Sequence, residues 1–375
     1  MWLCGVSTIV LAALVLVSSA GPGQAASIQA SKSEYCNIKL AGPIEKGDAD
    51  KLKRAIASVP PRKLRVESRS GGYEADRIDI CLASTGGDFK EALKMVDLLV
   101  GKEGNWDSVG TVVDKGDECI AECAFIFMAG KYHAFHGISF PLRQLHPEGK
   151  LGFRLPRVAN ANAAANEADL AKSFAAAVKQ VKQLMEQNAK VKVLEKNKPF
   201  PKTLTAKVLA LDDGETLYVE TLQQLGEWTI QSIGLPKARR IGGRISDAML
   251  QQACANQANW YEDPKMKFEP PGSNDPVKLS GKMYHATYKA STTKGPRFCF
   301  AFFLDDEYLG PVVDISLFTS LTPKRDEYRS TPASLREHYE QGGGEGRQYG
   351  NTGLIDIWAV FDPATPYAKL PSLLE

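Results

Sequence analysis

Along the first 130 residues the apolar positions alternate between a strand period and a helix period. Residues 35–42, YCNIKLAG, read as a strand. DADKLKRAIASV (48–59) then sets Leu52, Ala55, Ile56 and Val59 at helical spacing. RIDICLA (77–83) is dense in apolar and β-branched residues, the composition of a buried parallel strand. STGG (84–87) turns the chain, and DFKEALKMVDLLVG opens a helix with Asp88 as N-cap and Glu91 at N3. SVGTVV (108–113) is a third strand, and DECIAECAFIFMAG (117–130) supplies the next helix, its first turn starting near Ala121. This β-α-β-α order predicts a parallel sheet flanked by helices.

From 159 to about 190 the chain is alanine-rich. Leu170, Phe174, Val178, Val181 and Met185 form one apolar face of a long helix, available to the domain's own core or to a second subunit. GLPKARRIGGR (234–244) has little to bury and reads as a boundary. Beyond it, KMYHATYKA and RFCFAFFLDD alternate like antiparallel strands, and GLIDIWAVFD (353–362) reads as a last strand. EQGGGEGRQYG (340–350) is a loop without the Gly-Lys-Ser/Thr ending of a phosphate-binding loop. A chain of 375 residues exceeds a comfortable single core. Two domains are predicted: an α/β unit at 35–234 and a small α+β unit at 245–375.

Composition adds little at first: 43% of residues are apolar, 24% are charged, and the net charge is +2. Such a balance gives no argument for a nucleic-acid partner. The N-terminus is more telling. STIVLAALVLVSSA followed by GPGQAAS has the apolar run and small-x-small cleavage sites of a signal peptide over residues 1–26, ending at Ala25 or Ala26. The competing reading is an uncleaved anchor. With the signal removed no stable membrane span is expected, and the mature protein is predicted to be periplasmic or secreted.

Export changes the meaning of the cysteines. Cys4 leaves with the signal, and Cys36, Cys81, Cys119, Cys123, Cys254 and Cys299 remain. An even number in an oxidising compartment points to disulfides. Cys119 and Cys123 with His133 and His136 also spell a Cys2His2 zinc set, but mostly core-forming residues separate the two pairs. A thioredoxin-type pair needs two intervening residues, and here there are three. A clamp demands a particular geometry. Residues four apart in a helix hold their Cβ atoms about 5–6 Å apart, whereas a disulfide needs roughly 3.5–4.5 Å. Cys119 should therefore lie just outside the helix, with the bond fixing the turn. No metal and no cofactor are expected.

ICLASTGGDFKEALKMVDLL, then GTVVDKGDECIAECAFIFMAG, then GKLGFRLPR resemble, in order and spacing, the exported relatives of the Clp protease proteolytic subunit in the ClpP/crotonase superfamily. The resemblance runs from about Cys36 to Gly234. It implies a ClpP/crotonase-like parallel sheet with flanking helices, the small α+β domain following it. It places Ala121 where the family carries its serine nucleophile, and Glu122 where alanine is usual. Arg154 stands at the general-base position. Alanine has no nucleophilic atom, and arginine does not deprotonate. Gly86 and Gly87 stand at the oxyanion hole, with Thr85 in place of proline.

The expected function is that of an exported pseudoenzyme binding a peptide, protein or other ligand in a degenerate serine-protease cleft. The alternative is an active hydrolase with a relocated nucleophile such as Ser84, with His146 or His133 as base. Glu122 and Arg154 would either pair with each other or present a charged handle to a ligand. In the superfamily sheet the first two strands are parallel neighbours, so Cys36 can bridge to Cys81. Cys119 pairs with Cys123, and Cys254 and Cys299 remain together in the second domain. Relatives of this fold assemble, so a homo-oligomer is expected.

Overall fold

The structure is a computed structural model. It describes residues 26–66, 73–101, 108–133, 139–155, 175, 178–179, 181–186, 188–189, 198–236, 245–261, 268, 278–279, 283–292, 295–306, 310–318, 353–355 and 357–374. The signal segment before Ala26, residues 237–244 of the basic boundary, Leu170, Phe174, His136 and the loop 340–350 lie outside the described residues.

The chain is α/β. After β1 (Ser27–Ala30) and β2 (Ile38–Ala41), helix α1 (Asp48–Ser58) leads to a hairpin of β3 (Arg62–Val66) and β4 (Tyr73–Ala83). Helix α2 (Phe89–Val100) crosses to β5 (Ser108–Val113), which is buried along its whole length, as the Val-rich run SVGTVV requires. Strand β6 (Glu118–Ile120) precedes helix α3 (Glu122–Met128). Strands β7 (Lys131–His133), β8 (Ser139–Pro141), β9 (Arg143–Leu145) and β10 (Lys150–Phe153) follow.

Helix α4 (Lys202–Leu209), β11 (Leu217–Tyr218), α5 (Leu222–Glu227) and β12 (Gln231–Ser232) complete this half. Strands β2, β4, β5, β9 and β12 are parallel neighbours in that order, and β1, β3, β7 and β8 join antiparallel. A separate small sheet holds β6, β10 and β11, with β6 and β10 parallel. It touches the main sheet where Ser84 bridges to Cys119.

Helix α6 (Asp247–Tyr261) opens the second half. It packs on an antiparallel meander of β13 (Lys278–Leu279), β14 (Met283–Thr292), β15 (Gly295–Asp306), β16 (Gly310–Phe318) and β17 (Gly353–Ile355). Cys254 of α6 is bonded to Cys299 of β15, and the Tyr288 hydroxyl donates to the Asp247 carbonyl at 2.7 Å. The last segment returns to the first half. Tyr367 donates its hydroxyl to the carbonyl of Leu145 at the end of β9 and shares a 2.7 Å hydrogen bond with Ser232. Trp260 packs 5.4 Å from Trp358, and buried residues of both halves form one continuous core.

Three sequence expectations need correction. The strand expected at 35–42 is β2 and starts at Ile38, after a strand β1 that the pattern does not mark, so Cys36 lies just before β2, still bonded to Cys81 of β4. GLIDIWAVFD is not one strand. Only Gly353–Ile355 pairs, and Ile357–Val360 is a 3₁₀ turn. Of the described residues at 159–190, Val178 is exposed, Val181 and Met185 are half-buried, and Leu184, outside the expected face, is buried.

The N-cap of α2 holds, with Asp88 Oδ1 accepting from Glu91 N–H at 2.9 Å. The Glu91 carboxylate, however, does not turn back to Asp88. Its Oε1 accepts from the N–H groups of Gly47 and Ala49, both at 2.9 Å, and so caps α1, whose own N-cap residue is glycine. Lys94 holds the second oxygen at 2.8 Å. Glu91→Ala would leave two N–H donors at the start of α1 without their acceptor. An unsatisfied buried donor costs about 1–3 kcal/mol, so urea unfolding should show a loss of about 2–3 kcal/mol for Ala and a smaller one for Gln.

Candidate functional site

The two sheets meet at a turn where one residue reverses the chain between strand β6 and helix α3. That residue is Ala121, at φ 56° and ψ −122°. The conformation is rare for a residue with a Cβ and stores about 1–3 kcal/mol of strain. Its neighbours hold it. Ile120 N–H donates to the Ser84 carbonyl and Ala121 N–H to the Gly152 carbonyl, each at 2.9 Å. The Cys119–Cys123 disulfide closes across the turn with its α-carbons 5.2 Å apart. Cys119 lies in the strand and Cys123 in the helix, as a four-residue bridge demands. Oxidation also removes both thiols from the Cys2His2 set; the side chain of His133 lies outside the described residues.

The STGG turn faces Ala121. A Cβ built on Gly86 would fall 3.2 Å from Ala121 Cβ and 2.4 Å from Glu122 Oε2, so glycine is required there. Gly87, at φ 150°, lies so close to the backbone of Ile44 that a Cβ would meet its carbonyl oxygen at 2.2 Å. Ile44 fixes this turn by donating to the Gly86 carbonyl at 2.9 Å and accepting from Asp88 N–H at 2.8 Å. The fold thus brings together Ser84, Gly86, Gly87, Ala121 and Glu122.

The amides of the two glycines are both engaged within the chain. Gly87 N–H donates to Glu122 Oε2 at 3.0 Å, and Gly86 N–H donates to Ser84 Oγ at 3.2 Å. The Ser84 hydroxyl in turn donates to the Gly86 carbonyl at 3.2 Å and is buried. Among the described residues its hydroxyl is hydrogen-bonded to Gly86 and to no histidine or carboxylate. His146 lies past the end of β9, two strands away from β4. Its Nδ1 accepts from Glu148 N–H at 3.0 Å, and its ring lies against Gly234. Burial lowers the His146 pKa, against the pull of Glu148 and Asp114.

Glu122 is only 8% exposed. Burial raises the pKa of its carboxyl above the usual glutamate range. The Gly87 N–H, its own backbone N–H and Arg154 act in the opposite direction, and Asp88 adds to the rise. Arg154 follows β10 directly and is half-buried, but it forms no ion pair with Glu122 among the described residues. Its Nε donates to Thr216 Oγ1 at 2.5 Å. Thr216 lies in the turn before β11, 62 residues from Arg154. No local pattern in the sequence marks it.

The buried charge fixes the sign of a pH effect. A carboxyl whose folded-state pKa is raised favours the folded state in its protonated form. That contribution is full below the unfolded pKa and is lost as pH rises through the raised value. Glu122→Gln keeps the acceptor for Gly87 and removes the charge. It should raise the melting temperature at pH 8 by a few degrees, for a gain on the order of 1 kcal/mol. Thermal unfolding should show the gain vanish near pH 4.

No family model and no curated protein matches the chain. Solved structures do match, among them a ClpP1 mutant from Listeria monocytogenes, 12% identical, with a TM-score of 0.29 over 48% of this chain and 80% of that one.

Proposed function

We propose that this chain is an exported, non-hydrolytic binding protein of Clp-protease-like design, whose degenerate cleft takes a peptide, protein or other ligand. The observation that carries this reading is the Gly87–Glu122 hydrogen bond beside the strained Ala121. An acyl-transfer site must keep backbone donors open for a developing oxyanion. Here a carboxylate of the chain itself sits on one donor and a serine hydroxyl on the other. The nucleophile position carries a methyl group, and the base position carries a guanidinium bound to Thr216. On this reading the nucleophile, the base and both backbone donors of a hydrolase are each lost.

Three disulfides, Cys36–Cys81, Cys119–Cys123 and Cys254–Cys299, fit an oxidising compartment and support the export reading. Among the described residues no helix is long and apolar enough to cross a membrane. Self-association belongs to the same reading. Val178 and Leu209 are exposed, and Leu209 lines a groove with Leu155, Val181 and Met185. Light scattering at micromolar concentration should give a mass above that of one chain; a monomer removes self-association from the proposal.

A serine-reactive fluorophosphonate should leave the protein unlabelled, with Ser84→Ala as control. Labelling that Ser84→Ala abolishes would overturn the proposal. Ala121→Ser and Arg154→His should each remain inactive singly, one lacking a base and the other a nucleophile. Adding Glu122→Ala to the pair frees Gly87 N–H. Hydrolysis of an activated ester should then be detectable in the triple variant and below detection in the double.

A further inference from the structure

The sequence leaves open whether Glu122 and Arg154 neutralise each other or face a ligand, and the geometry separates them. Glu122 takes one hydrogen bond from another residue, the Gly87 N–H on Oε2. No cation stands within 4 Å of it among the described residues. Arg154, the nearby cation, spends its Nε on Thr216. Glu122 is nonetheless only 8% exposed, and it lies beside Gly87, which is exposed. Burying a carboxylate without a counter-charge costs several kcal/mol. A chain that positions such a group with two obligatory glycines and a disulfide has built an acceptor that its own side chains do not fill.

The charges around it have one sign in sum. Asp88, at the start of α2, and Glu122, at the start of α3, both act on the site, against the single guanidinium of Arg154. A second anion would meet two carboxylates there, with the Gly87 amide already taken. A cation meets an oriented oxygen held in place from behind.

We propose that Glu122 is the specificity-determining group of the cleft and receives a cationic group of the ligand. That group is an alkylammonium or guanidinium, as on a lysine or arginine side chain or a peptide N-terminus. It binds at the carboxylate oxygen not used by Gly87. This inference rests on the binding-protein reading and names the ligand chemistry for that same site. No bond is made or broken; the ligand supplies the missing counter-charge. Arg154 opposes the ligand electrostatically and sets an upper limit on its affinity.

The test is calorimetric titration of the whole mature protein at pH 8 with N-acetyl-lysine amide and N-acetyl-arginine amide. N-acetyl-norleucine amide serves as the uncharged analogue, N-acetyl-glutamate amide as the acidic one, and alanine amide as a source of an α-ammonium group. The cationic compounds should bind at least tenfold more tightly than norleucine and glutamate. Preference for alanine amide would assign the site to a peptide N-terminus, and preference for lysine or arginine to a side chain.

Glu122→Gln, checked for folding by circular dichroism, should lose the cation preference at least tenfold. Arg154→Ala, which leaves Glu122 intact, should strengthen cation binding severalfold. Lowering the pH should weaken binding as Glu122 protonates, at a higher pH than an ordinary glutamate. Asp88 and Arg154 are the other charged groups acting on it. Equal affinity for norleucine and lysine derivatives, no cation binding in the millimolar range, or an unchanged preference in Glu122→Gln would overturn the inference. The fluorophosphonate result is independent: labelling would sink the non-hydrolytic reading even where cation binding persisted.

Discussion

The hydrogen bond from Gly87 N–H to the Glu122 carboxylate joins the STGG turn before α2 to the first turn of α3, and the packing around both turns follows from it. A buried carboxylate needs N–H donors, and helix starts are where backbone donors are left over. Glu122 sits at two such starts, its own and that of α2, so positive helix ends partly offset the missing cation. The same contact dictates its neighbours. Gly86 must lack a side chain for the carboxylate to fit, and Gly87 must lack one to approach Ile44. Ala121 must reverse the chain in one residue for Glu122 to point back at the turn.

A strained backbone persists where its surroundings over-determine it. At Ala121 three constraints converge from distant parts of the chain: the Ser84 carbonyl, the Gly152 carbonyl and the disulfide through Cys119 and Cys123. The geometry at Ala121 holds the next residue, Glu122, against the STGG turn. The hold rests on backbone groups and the disulfide.

Much of this was legible in the chain because it rests on local pattern. The periods of α1, α2, β4 and β5, the Asp88 cap, and the need for Cys119 to stand outside the helix each follow from neighbours a few residues apart. What escaped depends on distant partners. Glu91 has the position of a local capping residue, yet its carboxylate serves α1, more than forty residues away. GLIDIWAVFD alternates like a strand, but the Asn256 amide takes the carbonyls of Ala359 and Phe361, and Trp358 packs on Trp260. Those contacts turn the backbone where pairing would have kept it straight. The Thr216–Arg154 bond, which gives the arginine a partner 62 residues away, has no sequence signal at all.

The return of the chain terminus to the first sheet bears on how the molecule is made. Tyr367 reaches Leu145 and Ser232, and the Leu145 contact spans 222 residues of chain. Closing so long a loop is entropically late, because the cost must be met before the contact forms. The end of β9 therefore gains this partner only after most of the polypeptide has been synthesised and the α6 meander has formed. Unfolding should run the other way: release of the terminal segment uncovers the parallel sheet, so the two halves lose structure as one cooperative unit.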